Sequence, residues 1–193
     1  MLAAFAASLL AKAEPAQAGP LTLLAPRLDS LNSSQTLSPR SLDSVECPSG
    51  VGCGMKVVTT AAASCSDVQA EIEARVAGEG SWQDPHNSGQ YTEADFGGTS
   101  SASRVTGGGS ALAYTDNMIF TLSDDGSGCR IQACSRSQVP SLFDSGTNYC
   151  NLKMLYCGSA DGCTPVSHDF AVSSEQTEKF ALSNVDLSAC LVA

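Results

Sequence analysis

Nine cysteines and two histidines are the residues of this chain best able to do chemistry. Five of the cysteines, Cys129, Cys134, Cys150, Cys157 and Cys163, fall within the stretch from Gly128 to Cys163. Zinc sites need thiolates two to four residues apart, often with histidine. The chain has no Cys-x-x-Cys, and His86 and His168 sit at no ligand-like spacing, so no metal and no cofactor is expected. Nine thiols are unusual for an intracellular chain of 193 residues and ordinary for an oxidising compartment. A disulfide framework over Cys47, Cys53, Cys65, Cys129, Cys134, Cys150, Cys157, Cys163 and Cys190 is the expectation, with one cysteine unpaired. Cys47 and Cys53 bracket the flexible loop Pro-Ser-Gly-Val-Gly, which suggests a small local bond between them, and the other seven would supply three more. Sequence does not fix that pairing, since eight cysteines alone allow 105 arrangements.

Catalytic readings have little to stand on. A cysteine nucleophile needs a depressed pKa and a base, which would set Cys150 or the unpaired thiol against His86 or His168. A serine triad would draw on His168-Asp169, yet no Gly-x-Ser-x-Gly elbow is present. Asp124-Asp125-Gly126 and Asp161-Gly162 offer oxygens but do not match a twelve-residue calcium loop, and read as tight turns. Gly107-Gly108-Gly109 lacks the Gly-Lys-Ser/Thr of a phosphate cradle. Trp82, Pro85, His86 and Tyr91 remain as an aromatic patch for a protein or carbohydrate partner, or as the lid of the core.

The elements that must position these residues follow from pattern. Ser66-Asp67-Val68-Gln69 has the ends of a capping box, Val68, Ile72 and Val76 recur every four residues, and Gly78 is placed to stop the helix. This is the one amphipathic helix, with Cys65 at its start. Met55 to Ala63 favours a strand. From Ser81 onward, turn residues recur about every ten positions between short strand-like runs. These runs are Gln90 to Thr92, Ser103 to Thr106, Asn117 to Leu122, Arg130 to Ala133, Lys153 to Tyr156, Phe170 to Ser173 and Phe180 to Leu182. The Met118 to Ile131 stretch, with Asp-Asp-Gly-Ser-Gly at its centre, is the best hairpin. Cys190 should tie a C-terminal strand to the body. The fold class expected is α+β: a small, mainly antiparallel sheet with one amphipathic helix, stapled by disulfides.

Asp84-Pro85-His86-Asn87 with Tyr91, Arg104-Val105-Thr106-Gly107, and the Cys129 to Cys163 run with its Ser-Gln-Val and Thr-Asn-Tyr-Cys-Asn resemble a pattern of small, cysteine-rich, exported proteins of unassigned function. The resemblance covers about Cys65 to Phe170. It implies export and disulfides and carries no catalytic residue.

Ahead of this body, residues 1–18 combine an apolar run with Ala16-Gln17-Ala18, as in an export signal, although no basic residue precedes the run. That leaves room for two-stage targeting to a thylakoid lumen as the alternative to secretion. Residues 19–46 form a Pro/Ser/Leu-rich linker containing one sequon at Asn32, and the disulfide-rich domain spans 47–193. The aromatic share is only 6%, so cross-links should offset a modest core. A net charge of -10 and a pI near 4.4 argue against nucleic acid and anionic membrane surfaces as partners. The function expected is a noncatalytic structural or protein-interaction domain in an oxidising compartment. The alternatives are a peripheral lumenal subunit of a photosynthetic membrane complex and a small secreted hydrolase.

Overall fold

The computed structural model describes residues 40–95, 100–106, 114–141 and 143–191. The export-signal segment, the sequon and the Gly107 to Gly109 loop lie outside the described residues. In chain order the elements are helix α1 (Arg40–Asp43), strand β1 (Gly54–Ala61), helix α2 (Cys65–Val76), strands β2 (Gln90–Asp95), β3 (Ser100–Thr106), β4 (Tyr114–Asp124) and β5 (Cys129–Ser137), helix α3 (Thr147–Tyr156), strand β6 (Gln176–Phe180) and helix α4 (Leu187–Cys190). The strands form one antiparallel sheet in the order β2-β3-β4-β5-β1-β6.

Period-two alternation gives the sheet two unlike faces. Met55, Val57 and Ala61 of β1, Met118 and Phe120 of β4, and Ile131 and Ala133 of β5 point to one side, where Val68 and Ile72 of α2 and Leu152 and Leu155 of α3 cover them. On the other side Val58 and Cys134 are covered by Leu42 and Val45. The residues just before Cys47 are therefore part of the folded body.

Several elements differ from the sequence expectations. The cap of α2 is Ser64, whose hydroxyl accepts from Asp67 N–H at 3.2 Å, two residues ahead of the expected serine. Lys153 to Tyr156 is not a strand but the end of α3. That helix starts where Asp144 accepts from the N–H groups of Gly146 at 2.9 Å and Asn148 at 3.3 Å. Every residue from Asn148 to Tyr156 is buried, so α3 carries no polar stripe to announce its period. Phe170 to Ser173 contributes only a bridge from Val172 to Ala61. The third strand expected near the end, Phe180 to Leu182, is the last residue of β6 followed by Ala181 in left-handed conformation. Cys190 ends a short helix instead of a strand.

Four disulfides join Cys47 to Cys134, Cys65 to Cys129, Cys150 to Cys190 and Cys157 to Cys163. The Cys47–Cys53 bond is overturned: Cys47 reaches across to β5, and Cys53 is a buried free thiol whose Sγ lies 3.2 Å from the Ser141 carbonyl. The loop that seemed to invite local closure instead turns Cys47 toward the α1 face of the sheet and Cys53 toward the chain beyond β5. Four disulfides in one domain point to an oxidising, extracellular-type compartment. No helix among the described residues is long and apolar enough to cross a membrane.

Loop length ranks these bonds. Cys47–Cys134 spans 87 residues and Cys157–Cys163 spans 6, which in the chain-entropy description contribute about 4.6 and about 2.2 kcal/mol. Replacing both cysteines of the first pair by serine should cost about twice as much unfolding free energy in urea titrations as replacing both of the second.

Candidate functional site

The helix-facing side of the sheet is apolar along most of its length and polar at one end. Strand registers place Tyr91, Arg104, Asp116 and Ser137 side by side across β2, β3, β4 and β5. Arg104 has no exposure and Asp116 only 3%. Each polar group in this row is held by partners from outside the sheet.

Arg104 is neutralised by Asp84, whose Oδ2 accepts from Nε at 2.7 Å and lies 2.7 Å from the second guanidinium nitrogen. The same Oδ2 accepts from the Tyr91 hydroxyl at 3.0 Å, and Oδ1 accepts from His86 N–H at 2.8 Å. Arg104 also donates to the His86 carbonyl. Asp84-Pro85-His86-Asn87 is thus folded around one buried guanidinium. Asn87 and Ser88 make the reversal in left-handed conformation, and Gly89 closes it with its α-carbon against the guanidinium.

His86 is buried at 6% exposure. Its Nδ1 lies 3.1 Å from the Ala189 carbonyl, which can only accept, so Nδ1 carries the proton. Nε2 then accepts from Asn87 Nδ2 at 2.9 Å, with Thr147 Oγ1 at 3.5 Å. Burial pushes its pKa down and the Arg104 charge adds to this, against the Ala189 carbonyl and the charges of Asp84 and Asp144, which raise it; the net shift is downward.

Next to this cluster, Asp116 Oδ1 accepts from Ser137 Oγ at 2.6 Å and Oδ2 from Asn151 Nδ2 at 2.9 Å. Asn148 Nδ2 bridges Ser137 Oγ at 3.1 Å and Asp144 Oδ2 at 2.8 Å. Asn87, Asp116, Ser137, Asp144 and Thr147 open together onto a cavity of about 600 Å³, with Tyr114 and Phe143 also in its lining. Tyr114 is 48% and Phe143 72% exposed.

The other candidates are placed apart. Cys150 is spent in its bond to Cys190. His168 is exposed, with Nδ1 3.8 Å from Asp67. Asp169 accepts from the N–H and hydroxyl of Ser159, which hold its carboxyl below the usual range. His168 and Asp169, adjacent in sequence, thus serve different neighbours. Trp82 and Tyr91 pair with ring centroids 6.1 Å apart, and Trp82 separates two grooves of about 480 and 430 Å³. His86 belongs to neither groove; it is turned inward. Arg75, which lines both, spends its donors on Glu71, the Met154 carbonyl and the Cys157 carbonyl.

Sequence reasoning missed Asp116 and Asp144, and gave no role to Ser137, Asn148 and Asn151, which it met only within the motifs of the resemblance. For two of them a signal existed: Asp116 shares the parity of Met118 and Phe120, and Ser137 that of Ile131 and Ala133, which marks both as inward-facing. No family model, no curated protein and no solved structure matches the chain.

Two outcomes follow from this geometry. A Cβ at position 89 would strike the Arg104 guanidinium, which its own bonds hold in place, so Gly89→Ala should lose about 1–3 kcal/mol in chemical denaturation. His86 titrates lower in the folded than in the unfolded chain, whose histidine protonates near pH 6.5. The stability it contributes is therefore complete above about pH 6.5 and lost as pH falls below it. Unfolding free energies of the parent and of His86→Gln, measured across this range, should converge on the acid side.

Proposed function

We propose that the protein is a noncatalytic binding domain that works in an oxidising compartment and takes its ligand in the cavity beside Asp116. The observation that carries this reading is how the reactive groups are used. Cys150 is bonded, both ring nitrogens of His86 have partners, and the serines next to the carboxylates sit inside a structural network, while a cavity of about 600 Å³ stays open beside them. A general base needs a lone pair aimed at substrate, and the Nε2 lone pair of His86 is taken by Asn87. Rigid polar walls with exposed aromatic rings suit recognition instead. The disulfides support secretion as the destination; a thylakoid lumen would meet the same redox requirement.

Alkylating source cells before lysis tests the compartment: eight cysteines should be protected, with Cys53 labelled only after unfolding, and nine free thiols would sink that part. Fluorophosphonate and iodoacetamide probes test the noncatalytic part on the oxidised native protein. Labelling of a serine at the cavity, or substrate turnover lost in His86→Gln, would replace it with the hydrolase reading.

A further inference from the structure

The buried wall of the cavity, beside Asp116, is rich in hydrogen-bond acceptors. Ser137 gives its hydroxyl proton to Asp116, and its oxygen accepts from Asn148. Asn87 commits an Nδ2 proton to His86, which leaves its amide oxygen without a partner among the described residues. Asp144 accepts from Gly146, Asn148 and Ser183. The buried part of the network therefore turns its donors inward: Asp116, Ser137 and Asp144 present oxygen acceptors to the cavity, while Asn87 keeps one amide proton and the hydroxyls of Tyr114, Ser141, Ser145 and Thr147 line the remaining wall. Asn151, which holds Asp116 from behind, is itself fully buried and has an Oδ1 with no partner among the described residues.

Charge adds a second, independent observation. Asp116 is 3% exposed, and no cationic group among the described residues lies within ion-pair distance of it. Its cross-strand neighbour Arg104 is the one cation in the row, and that charge is matched by Asp84. A buried carboxylate held only by neutral donors is costly, and a cation arriving in the cavity would offset that cost. The lining also includes two exposed aromatic rings, Tyr114 and Phe143, whose faces attract cations.

We infer that the ligand is an alkylammonium, an amine-bearing molecule whose charged head seats against Asp116 between these walls and whose chain passes Tyr114 and Phe143. An ammonium has three donors and no acceptor, the complement of the acceptor cluster that Asp116, Ser137 and Asp144 present. A neutral sugar brings two lone pairs for every hydroxyl proton and no charge to set against Asp116, so it matches the acceptor cluster less well. The overall charge of -10 draws cations toward the protein from solution. The inference rests on the binding-domain reading and specifies its ligand class. A free amine and a lysine side chain of a partner share this chemistry.

The test is an amide chemical-shift titration of the oxidised full chain at pH 7 in 150 mM salt, which suppresses loose attraction to an acidic surface. The probes are cadaverine, Nα-acetyl-lysine methylamide, pentane-1,5-diol as the uncharged analogue of cadaverine, and maltotriose. Saturable shifts at Asn87, Asp116, Ser137 and Thr147 are expected with the amines, at least tenfold tighter than with the diol. Preference for cadaverine indicates a free amine, and preference for the lysine derivative a protein partner. Asp116→Asn should abolish this discrimination. Should that variant fail to fold, Tyr114→Ala with Phe143→Ala, both exposed, should weaken amine binding about tenfold. Maltotriose shifting these amides while the amines do not would overturn the ammonium inference and leave the binding cavity standing. Amine shifts scattered over the surface, or no shifts with any probe, would overturn the inference, and the latter would also remove the cavity as a binding site.

Discussion

A guanidinium sealed inside a core is costly unless its charge and most of its donors are met on the spot, and Arg104, whose Nη1 has no partner among the described residues, imposes this condition on everything around it. Asp84 meets the charge, the His86 carbonyl takes a further donor, and Tyr91 shares the carboxylate. Removing one partner of such a pair costs about 3–5 kcal/mol, because the other is left charged in a poor solvent. Because Asp84 has to reach Arg104, the chain between α2 and β2 must turn back over the sheet. That turn in turn places His86 against α4 and Asn87 at the cavity.

A second buried arginine does the same where α2 meets the end of α3. Arg75 of α2 pairs with Glu71 at 2.7 Å and donates to carbonyls at the end of α3. Burial works to raise the pKa of Glu71, but N–H groups of His168, Val166 and Ser167 together with Arg75 outweigh it, and the carboxyl lies low. One carboxylate thus gathers a loop nearly a hundred residues away in sequence. The two clusters explain how a chain with few aromatic residues keeps a defined interior. Buried charge fixes where loops sit, and disulfides restrict the unfolded chain.

What the sequence made legible follows the same division. β4 and α2 were readable because one face of each meets water, so polarity alternates with the period of the backbone. The second helix, α3, was not: packed on all sides, it shows no period, and Lys153 within it is buried against Glu175 at 2.7 Å. The cavity was half legible. Its outer motif, Asp84 to Asn87 with Tyr91 and Arg104, stood out as a group. Asp116 and Ser137 were hidden by the habit of reading strand polar residues as solvent-facing. The partner of Cys47 was not deducible, since the bond joins segments that only the completed sheet brings together.

Cys129 and Cys134 lie on one strand five residues apart, an odd interval, so they face opposite sides of the sheet: one is bonded to α2, the other to the segment after α1. A slip of β5 by a single residue would turn each sulfur to the wrong side, and both bonds would be out of reach. Oxidation therefore proofreads the strand alignment. A chain that has misaligned its central pair cannot seal both bonds and stays open to reshuffling until the register is right.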